Sequence, residues 1–86
     1  MKTSVNEPVS VKLVFQSAIK KTYPCSILWR GRLYQIQKIG LHHTYYQGRV
    51  LFHVFSVSDG NLFFRLLLNS ESLHWWLEEI SDGETE

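Results

Sequence analysis

The stretch Val50 to Asn69, VLFHVFSVSDGNLFFRLLLN, decides the fold prediction. In its second half, apolar residues recur at every second position: Leu62, Phe64, Leu66 and Leu68. A period of two places such side chains on one face of a β-strand. Asp59-Gly60, between the two halves, is typical of a type I′ hairpin turn. The stretch therefore predicts two antiparallel strands with a shared buried face.

The rest of the chain repeats this pattern of short β runs separated by turn residues. Val9 to Phe15 alternates, and Arg30-Gly31 and Gln47-Gly48 mark two further tight turns. Between these turns, Leu33 to Tyr46 is too long for one flat strand. Its apolar positions change phase near Gln37-Lys38, which predicts a β-bulge or a sharp bend. We expect an all-β domain: a single antiparallel meander of five or six strands, curled into a small SH3-like barrel.

The two ends of the chain are expected to lie outside this domain. Residues 1–8 are polar and predict a flexible N-terminal segment, residues 9–80 the β-barrel domain, and residues 81–86 a disordered acidic tail. The run 73–80 has a second interpretation, a short helix capped by Ser70 or Ser72.

Length and composition limit the classes of protein to which this chain can belong. Eighty-six residues make one domain, and 14% aromatic residues can fill a thin core. Cys25 is the only cysteine, so no internal disulfide forms and a reducing compartment is the simpler assumption. No segment resembles a signal peptide or a membrane span. These features predict a cytoplasmic protein that does not contact membranes.

Basic and acidic residues are segregated along the chain. From Lys12 to Arg65 there are eight basic residues and one acid, Asp59; after Arg65 there are six acids and no Lys or Arg. One interpretation is a basic binding face with an acidic tail. The other is that the last strand pairs beside basic strands and neutralises them.

The sequence contains no motif for catalysis or for a cofactor. Cys25 lacks a glycine-rich elbow or an oxyanion motif, and the carboxylates cluster near the end of the chain. His43 and His53 flank the Gln47-Gly48 turn and could lie on neighbouring strands, but His42 and His43 point to opposite faces. We therefore predict no enzyme activity, no cofactor and no metal site.

Two adjacent tryptophans are the first candidate binding residues. On a strand, one of Trp75 and Trp76 points into the core and the other points outward. An exposed tryptophan is a typical anchor in protein interfaces. The leading prediction is a binding module that docks on a protein partner, or on a second copy of itself, through this last strand.

The alternative prediction is a nucleic-acid-binding barrel. Basic residues are interleaved with aromatic ones, and the candidate set is Arg30, Arg32, Tyr45, Tyr46 and Arg49. Small β-barrels bind single-stranded nucleic acid by stacking bases on exposed aromatic rings while Lys and Arg contact the phosphates.

Three short motifs resemble a group of small bacterial β proteins of unknown function. They are the hairpin Trp29 to Tyr34 (WRGRLY), the strand start Gly48 to Phe52 (GRVLF) and the terminal Trp75 to Glu78 (WWLE). The resemblance covers about residues 24 to 80 and implies a β fold without an assigned activity. Some members are encoded near DNA-repair polymerases, which implies a link to nucleic-acid transactions. The chain departs from the group at His42-His43 and Leu66 to Leu68.

Overall fold

The computed structural model describes residues 2–82, which form eight β-strands. In chain order these are β1 (Lys2–Pro8), β2 (Ser10–Gln16), β3 (Lys21–Trp29), β4 (Arg32–Gln35), β5 (Lys38–Gln47), β6 (Val50–Ser58), β7 (Phe63–Asn69) and β8 (Trp75–Ser81). Every strand pair is antiparallel, and these residues contain no helix. The predicted all-β antiparallel class is confirmed.

The strands form two sheets. The larger has the order β1-β8-β7-β6-β5 and the smaller the order β2-β3-β4. No closed barrel is found in the part of the chain that the structure describes, so the SH3-like barrel is not confirmed. The strand number exceeds the predicted five or six because residues 2–8, expected to be flexible, form a strand and the run 33–46 divides between the sheets. Val9 alone separates β1 from β2, and Ile36-Gln37 separates β4 from β5.

The bend predicted near Gln37-Lys38 is the point where the chain changes sheet. The N–H of Ile36 donates to the carbonyl of Cys25 in the small sheet, at 2.9 Å. The N–H of Gln37, the next residue, donates to the carbonyl of Ser58 in the large sheet, at 2.8 Å. Successive peptide groups therefore bind different sheets, which keeps the backbone polar groups satisfied through the bend.

The N-terminal segment differs from its prediction. Residues 1–8 were expected to be flexible, but Lys2–Pro8 forms β1 and pairs with β8. The pairing supplies partners for polar backbone groups, and Val5 packs against the core. At the other end, Ser81 belongs to β8, and residues 83–86 of the predicted acidic tail lie outside the described residues.

The core lies between the two sheets. The small sheet contributes Ile27, and the large sheet contributes Phe55, Val57, Phe64, Leu66, Trp75 and Leu77. Leu62 and Leu68 are partly buried and pack against this cluster. The alternating face predicted for Leu62 to Leu68 therefore points into the core, as expected.

The hairpin turns follow the predicted positions only in part. Arg30 and Gly31 have φ of 52° and 75°, as a two-residue type I′ turn requires. The next turn consists of Gly48-Arg49, one residue later than predicted, because Gln47 pairs with Val50. The type I′ prediction for Asp59-Gly60 is wrong. Asp59 lies before the turn, and its carboxylate accepts hydrogen bonds from the N–H groups of Asn61 and Leu62.

The run 73–80 does not form the short helix of its second interpretation, because Trp75–Ser81 is the strand β8. The loop before it is closed by Asn69, whose side-chain oxygen accepts from the N–H groups of Glu71 and Ser72. β8 pairs with β7 on one side and β1 on the other, so its backbone is satisfied by neighbouring strands. Residues 2–82 contain no helix that is long and apolar enough to span a membrane.

The segregated charges of the sequence meet across strands. Arg65 Nε lies 3.1 Å from Glu78 Oε1, and Lys2 Nζ lies 3.9 Å from Glu79 Oε1. At these two positions the acids of the last strand pair with neighbouring basic residues, as the second interpretation of the charge pattern expects.

Candidate protein-binding surface

The candidate surface is the face of the large sheet that points away from the core, called the outer face below. Phe55 and Val57 belong to the core, so Val54, directly before Phe55 on the same strand, points to the opposite face. Strand register then defines one row of side chains across all five strands, the outer row. It consists of His43, Val54, Leu67, Trp76 and Pro8.

The outer row is packed although, within residues 2–82, no second sheet covers it. Val54 is only 1% exposed, yet it does not belong to the core cluster between the sheets. Its cross-strand partners are His43 and Leu67, and Leu67 is opposite Trp76. Large neighbouring side chains therefore shield Val54 from water, and Trp76 remains 39% exposed beside them.

A second row extends this apolar surface toward the β5–β6 turn. Tyr45 lies opposite Phe52, and their rings stack with centroids 5.4 Å apart and an interplanar angle of 14°. Tyr45 shares a face with His43, two residues away, and Phe52 shares a face with Val54. The outer face is thus aromatic and aliphatic over two neighbouring rows.

Charges border the outer row without giving it a net charge. Arg65 precedes Leu67 by two residues, Glu78 follows Trp76 by two, and the two side chains form the ion pair described above. An exposed pair of this kind contributes little to stability. Its consequence here is that the border of the apolar surface is electrically neutral.

A groove of about 440 Å³ runs beside Trp76, between the β1–β2 corner and the loop before β8. Pro8, Val9 and Leu73 line it together with Trp76. Ser10 and His74 add polar groups to the lining. A concavity next to an exposed indole can receive a side chain of a partner, since anchor residues fill such pockets in interfaces.

The tryptophan pair is arranged as the alternation predicts. Trp75 is 9% exposed and packs against Phe55, with ring centroids 5.7 Å apart. Trp76 lies on the outer face. Of the two candidate partner-binding residues, only Trp76 is accessible to a partner, and Trp75 belongs to the core.

Two of the candidate nucleic-acid residues, Arg30 and Arg32, lie at the β3–β4 turn of the small sheet. Arg30 forms an ion pair with Glu7 of β1, and its guanidinium lies 4.7 Å from the ring centroid of Trp29. Glu7 Oε1 also accepts from the indole N–H of Trp29 at 2.9 Å. The hydrogen bonds from Arg30 and Trp29 lower the pKa of Glu7, and Glu7 raises the pKa of Arg30. Arg30 is therefore engaged within the fold.

The other three candidates lie at the β5–β6 turn of the large sheet. Tyr45 points to the outer face and Tyr46 to the opposite face, because they are adjacent on a strand. Arg49 is in the turn itself. Since β4 and β5 run between the two turns, Arg30 and Arg32 lie at one end of this segment and Arg49 at the other. The structure does not bring the five candidates together on one surface.

The histidines pair differently from the expectation for His43 and His53. His42 Nε2 lies 2.9 Å from His53 Nδ1, and the His42 ring stacks on Phe55 with centroids 4.1 Å apart. Burial, and then His53 and His43, lower the pKa of His42. The register of the Gly48-Arg49 turn sets this pairing, because it places His53 opposite Thr44 and Phe55 opposite His42, so that His42 and His53 are diagonal neighbours on one face. The described residues contain no group of three or more metal-ligating side chains.

Of the outer row, sequence reasoning named only Trp76 as a binding residue and missed the other four members, Pro8, His43, Val54 and Leu67. The available signal was that Leu66 to Leu68 is continuously apolar, as expected for a strand shielded on both faces.

Comparison of the chain with protein-family models, curated proteins and solved structures finds no match. Function is therefore inferred from the surface itself.

Proposed function

We propose that the protein is a non-enzymatic binding module that docks an apolar surface of a partner protein on its outer face, with Trp76 as the anchor. The observation that carries this proposal is an exposed tryptophan between Leu67 and Pro8, in a largely apolar row on a sheet face that no second sheet covers within residues 2–82. The cytoplasmic location predicted from the single cysteine is part of the same proposal.

The arrangement around Trp76 matches the anatomy of an interface hot spot. Hot spots are enriched in tryptophan and are surrounded by side chains that exclude water from them. Leu67, directly opposite Trp76, occupies that position here, and Val54, the next residue in the outer row, is already shielded in the free protein. The docking surface is thus preformed on a rigid sheet, which lowers the entropic cost of binding.

The charge pattern favours a protein over a nucleic acid as the partner. Nucleic-acid binding requires several free cations that contact phosphates. Arg65, beside the outer row, is paired with Glu78, and Arg30 is paired with Glu7. The single-stranded nucleic-acid alternative, through Arg30, Arg32, Tyr45, Tyr46 and Arg49, therefore has less support.

The proposal is tested with Trp76→Thr, which removes the anchor and keeps a residue suited to a strand. Proteins retained by the immobilised wild-type chain are identified, and the binding of the purified partner is then measured by calorimetry. Losing a hot-spot tryptophan costs about 2 kcal/mol, so Kd should rise about 30-fold. The wild-type affinity should persist at high salt, because the contact is apolar.

The matched control is Phe15→Thr. Phe15 is 64% exposed on a strand of the small sheet, so this change removes an even more accessible aromatic ring from another surface. It should leave Kd within about twofold of wild type. Equal weakening by both variants would contradict a docking role for Trp76. A retained ligand that is an oligonucleotide released by salt would favour the nucleic-acid alternative instead.

A further inference from the structure

The two sheets have four edge strands, and three of them are protected against pairing with another chain. Unpaired N–H and C=O groups at an edge invite a further strand, and charges, prolines, bulges and short strands prevent this. β1 carries Lys2, Glu7 and Pro8 and has a register shift between Ser4 and Glu7. β2 carries Lys12 and a register shift directly after it, and β4 has only four residues.

β5 is the edge that is unprotected over most of its length, because its own register shift lies near its start, between Ile39 and His42. It is ten residues long and is hydrogen-bonded to β6 on one side only. From Gly40 to Gln47 (GLHHTYYQ) it contains no proline, lysine, arginine or acid, and every residue in this range is exposed. Leu41 and Tyr46 are 59% and 70% exposed. An exposed, uncharged and partly aromatic edge of this length is a site for strand addition.

The hairpin geometry identifies which backbone groups are free. The two-residue turn makes Gln47 and Val50 a hydrogen-bonded pair, and such pairs alternate with non-hydrogen-bonded ones along an antiparallel ladder. Tyr45 and His43 therefore bond to β6. The N–H and C=O groups of His42, Thr44 and Tyr46 point away from β6, toward the free edge.

We propose that a second copy of this chain adds its own β5 to this edge, antiparallel and with the two-fold axis at Thr44. In this register Thr44 pairs with Thr44 of the second copy, and His42 pairs with Tyr46. All three outward-pointing residues of each copy then find backbone partners. If the paired segment lay two residues closer to Gly40, the register shift between Ile39 and His42 would fall within the ladder between the two copies. One intermolecular hydrogen-bonded pair would then be lost.

The side chains suit this self-pairing. A two-fold interface brings each residue against the same set of residues, so like charges on the segment would repel. The segment Gly40 to Gln47 has no formal charge when its histidines are neutral. Pairing of β-branched and aromatic side chains across antiparallel strands is favourable. The two large sheets would join into one continuous sheet, and this contact does not use Trp76.

The test is the dissociation constant of the dimer, measured by sedimentation equilibrium over a range of protein concentration. Thr44→Pro removes an N–H that points to the free edge and leaves the bonds to β6 intact. Because of the two-fold axis, one proline per chain removes two intermolecular hydrogen bonds from the dimer. The loss of each bond should raise the dissociation constant about fivefold. The dissociation constant should therefore rise about 30-fold. Thr44→Val, which keeps the N–H and the branched side chain, should leave it within about threefold.

Two further variants keep the test decisive if Thr44→Pro does not fold. Thr44→Lys places two charges opposite each other at the axis and should also dissociate the dimer, whereas Thr22→Lys, at an exposed position of β3, should not. In a Cys25→Ser background, Thr44→Cys should form an intermolecular disulfide under mild oxidation. The Cα atoms of such a hydrogen-bonded pair are about 5.5 Å apart, which suits a disulfide.

A wild-type protein that remains monomeric to millimolar concentration would overturn the proposal. So would a dimer that survives both Thr44→Pro and Thr44→Lys. A dimer that only Trp76→Thr dissociates would place self-association on the outer face instead. Because Trp76→Thr should leave the β5 dimer intact, failure of this proposal and failure of the proposed docking function are distinguishable.

Discussion

At the scale of single residues, His42 links stability to pH. Its pKa is lowered by burial first and then by His53 and His43. The folded chain therefore binds protons at His42 less readily than the unfolded chain, in which the pKa is near 6.5. Its contribution to the free energy of unfolding is complete above this value and is lost as the pH falls below it.

We expect His42→Phe, which keeps a ring stacked on Phe55, to reduce this pH dependence. Urea unfolding of wild type and variant from about pH 7.5 to about pH 5 measures it, and the difference between the two curves isolates His42 from the other histidines. The wild type should lose more stability on acidification than the variant. Parallel curves would show that His42 is not a source of the dependence.

Glu7 acts at lower pH and connects the two sheets. Hydrogen bonds from Arg30 and Trp29 lower its pKa, so its stabilising effect is present above the pKa of an unfolded glutamate, about 4.3. This effect is lost as the pH falls through the lower folded value. Glu7→Gln keeps an acceptor for the Trp29 indole but removes the charge.

The melting temperature of wild type should therefore fall more between about pH 6 and about pH 3 than that of Glu7→Gln. At neutral pH the variant should melt at a lower temperature than wild type. Thermal unfolding followed by circular dichroism gives both values. Equal acid sensitivity of the two proteins would mean that the link between β1 and the β3–β4 turn does not stabilise the fold.

At the scale of elements, Leu73 is a strained residue in the loop before β8. It has a φ of 62° and is exposed, so the strain is not compensated by burial. A residue with a Cβ in this conformation costs about 1–2 kcal/mol, and asparagine tolerates it better than leucine. Leu73→Asn should raise the free energy of unfolding by about 1 kcal/mol.

Chemical denaturation checks this prediction against Leu33→Asn. Leu33 is also exposed but lies in β4 with an ordinary strand conformation, so asparagine should destabilise the chain there. Opposite signs for the two changes would support backbone strain as the cause. Destabilisation by both would contradict it.

The strands show which elements a sequence pattern can predict. The Arg30-Gly31 turn follows from local chemistry, because glycine tolerates the positive φ. The face of β2 could not be predicted in full. Alternation places Leu13 and Phe15 with Val11, but the register shift after Lys12 leaves both of them exposed. A bulge changes which residues face the core without changing the alternation of residue types.

β1 illustrates a second limit. Its sequence, KTSVNEP, is polar and ends in proline, which resembles a loop. It forms a strand because β8 supplies hydrogen-bond partners along its length, and that partner is more than 60 residues away in the chain. Tertiary pairing of this kind overrides local propensity.

At the scale of the whole molecule, the candidate surface was predictable only through its tryptophan. Alternation places one of Trp75 and Trp76 outward, and burial in the structure identifies Trp76. The neighbours Val54 and Leu67 depend on the register of three strands, which the sequence does not specify. Arg30 and Arg49 are separated for a different reason, because β4 and β5 run between the turns that carry them.

The decisive measurement on the docking surface is nuclear magnetic resonance of the three indole N–H groups during titration with the purified partner. Trp76 reports on the outer face, Trp75 on the core, and Trp29 on the turn that carries Arg30. We expect the Trp76 signal to shift or broaden in proportion to binding while Trp29 is unchanged. A response at Trp29 with none at Trp76 would contradict docking on the outer face.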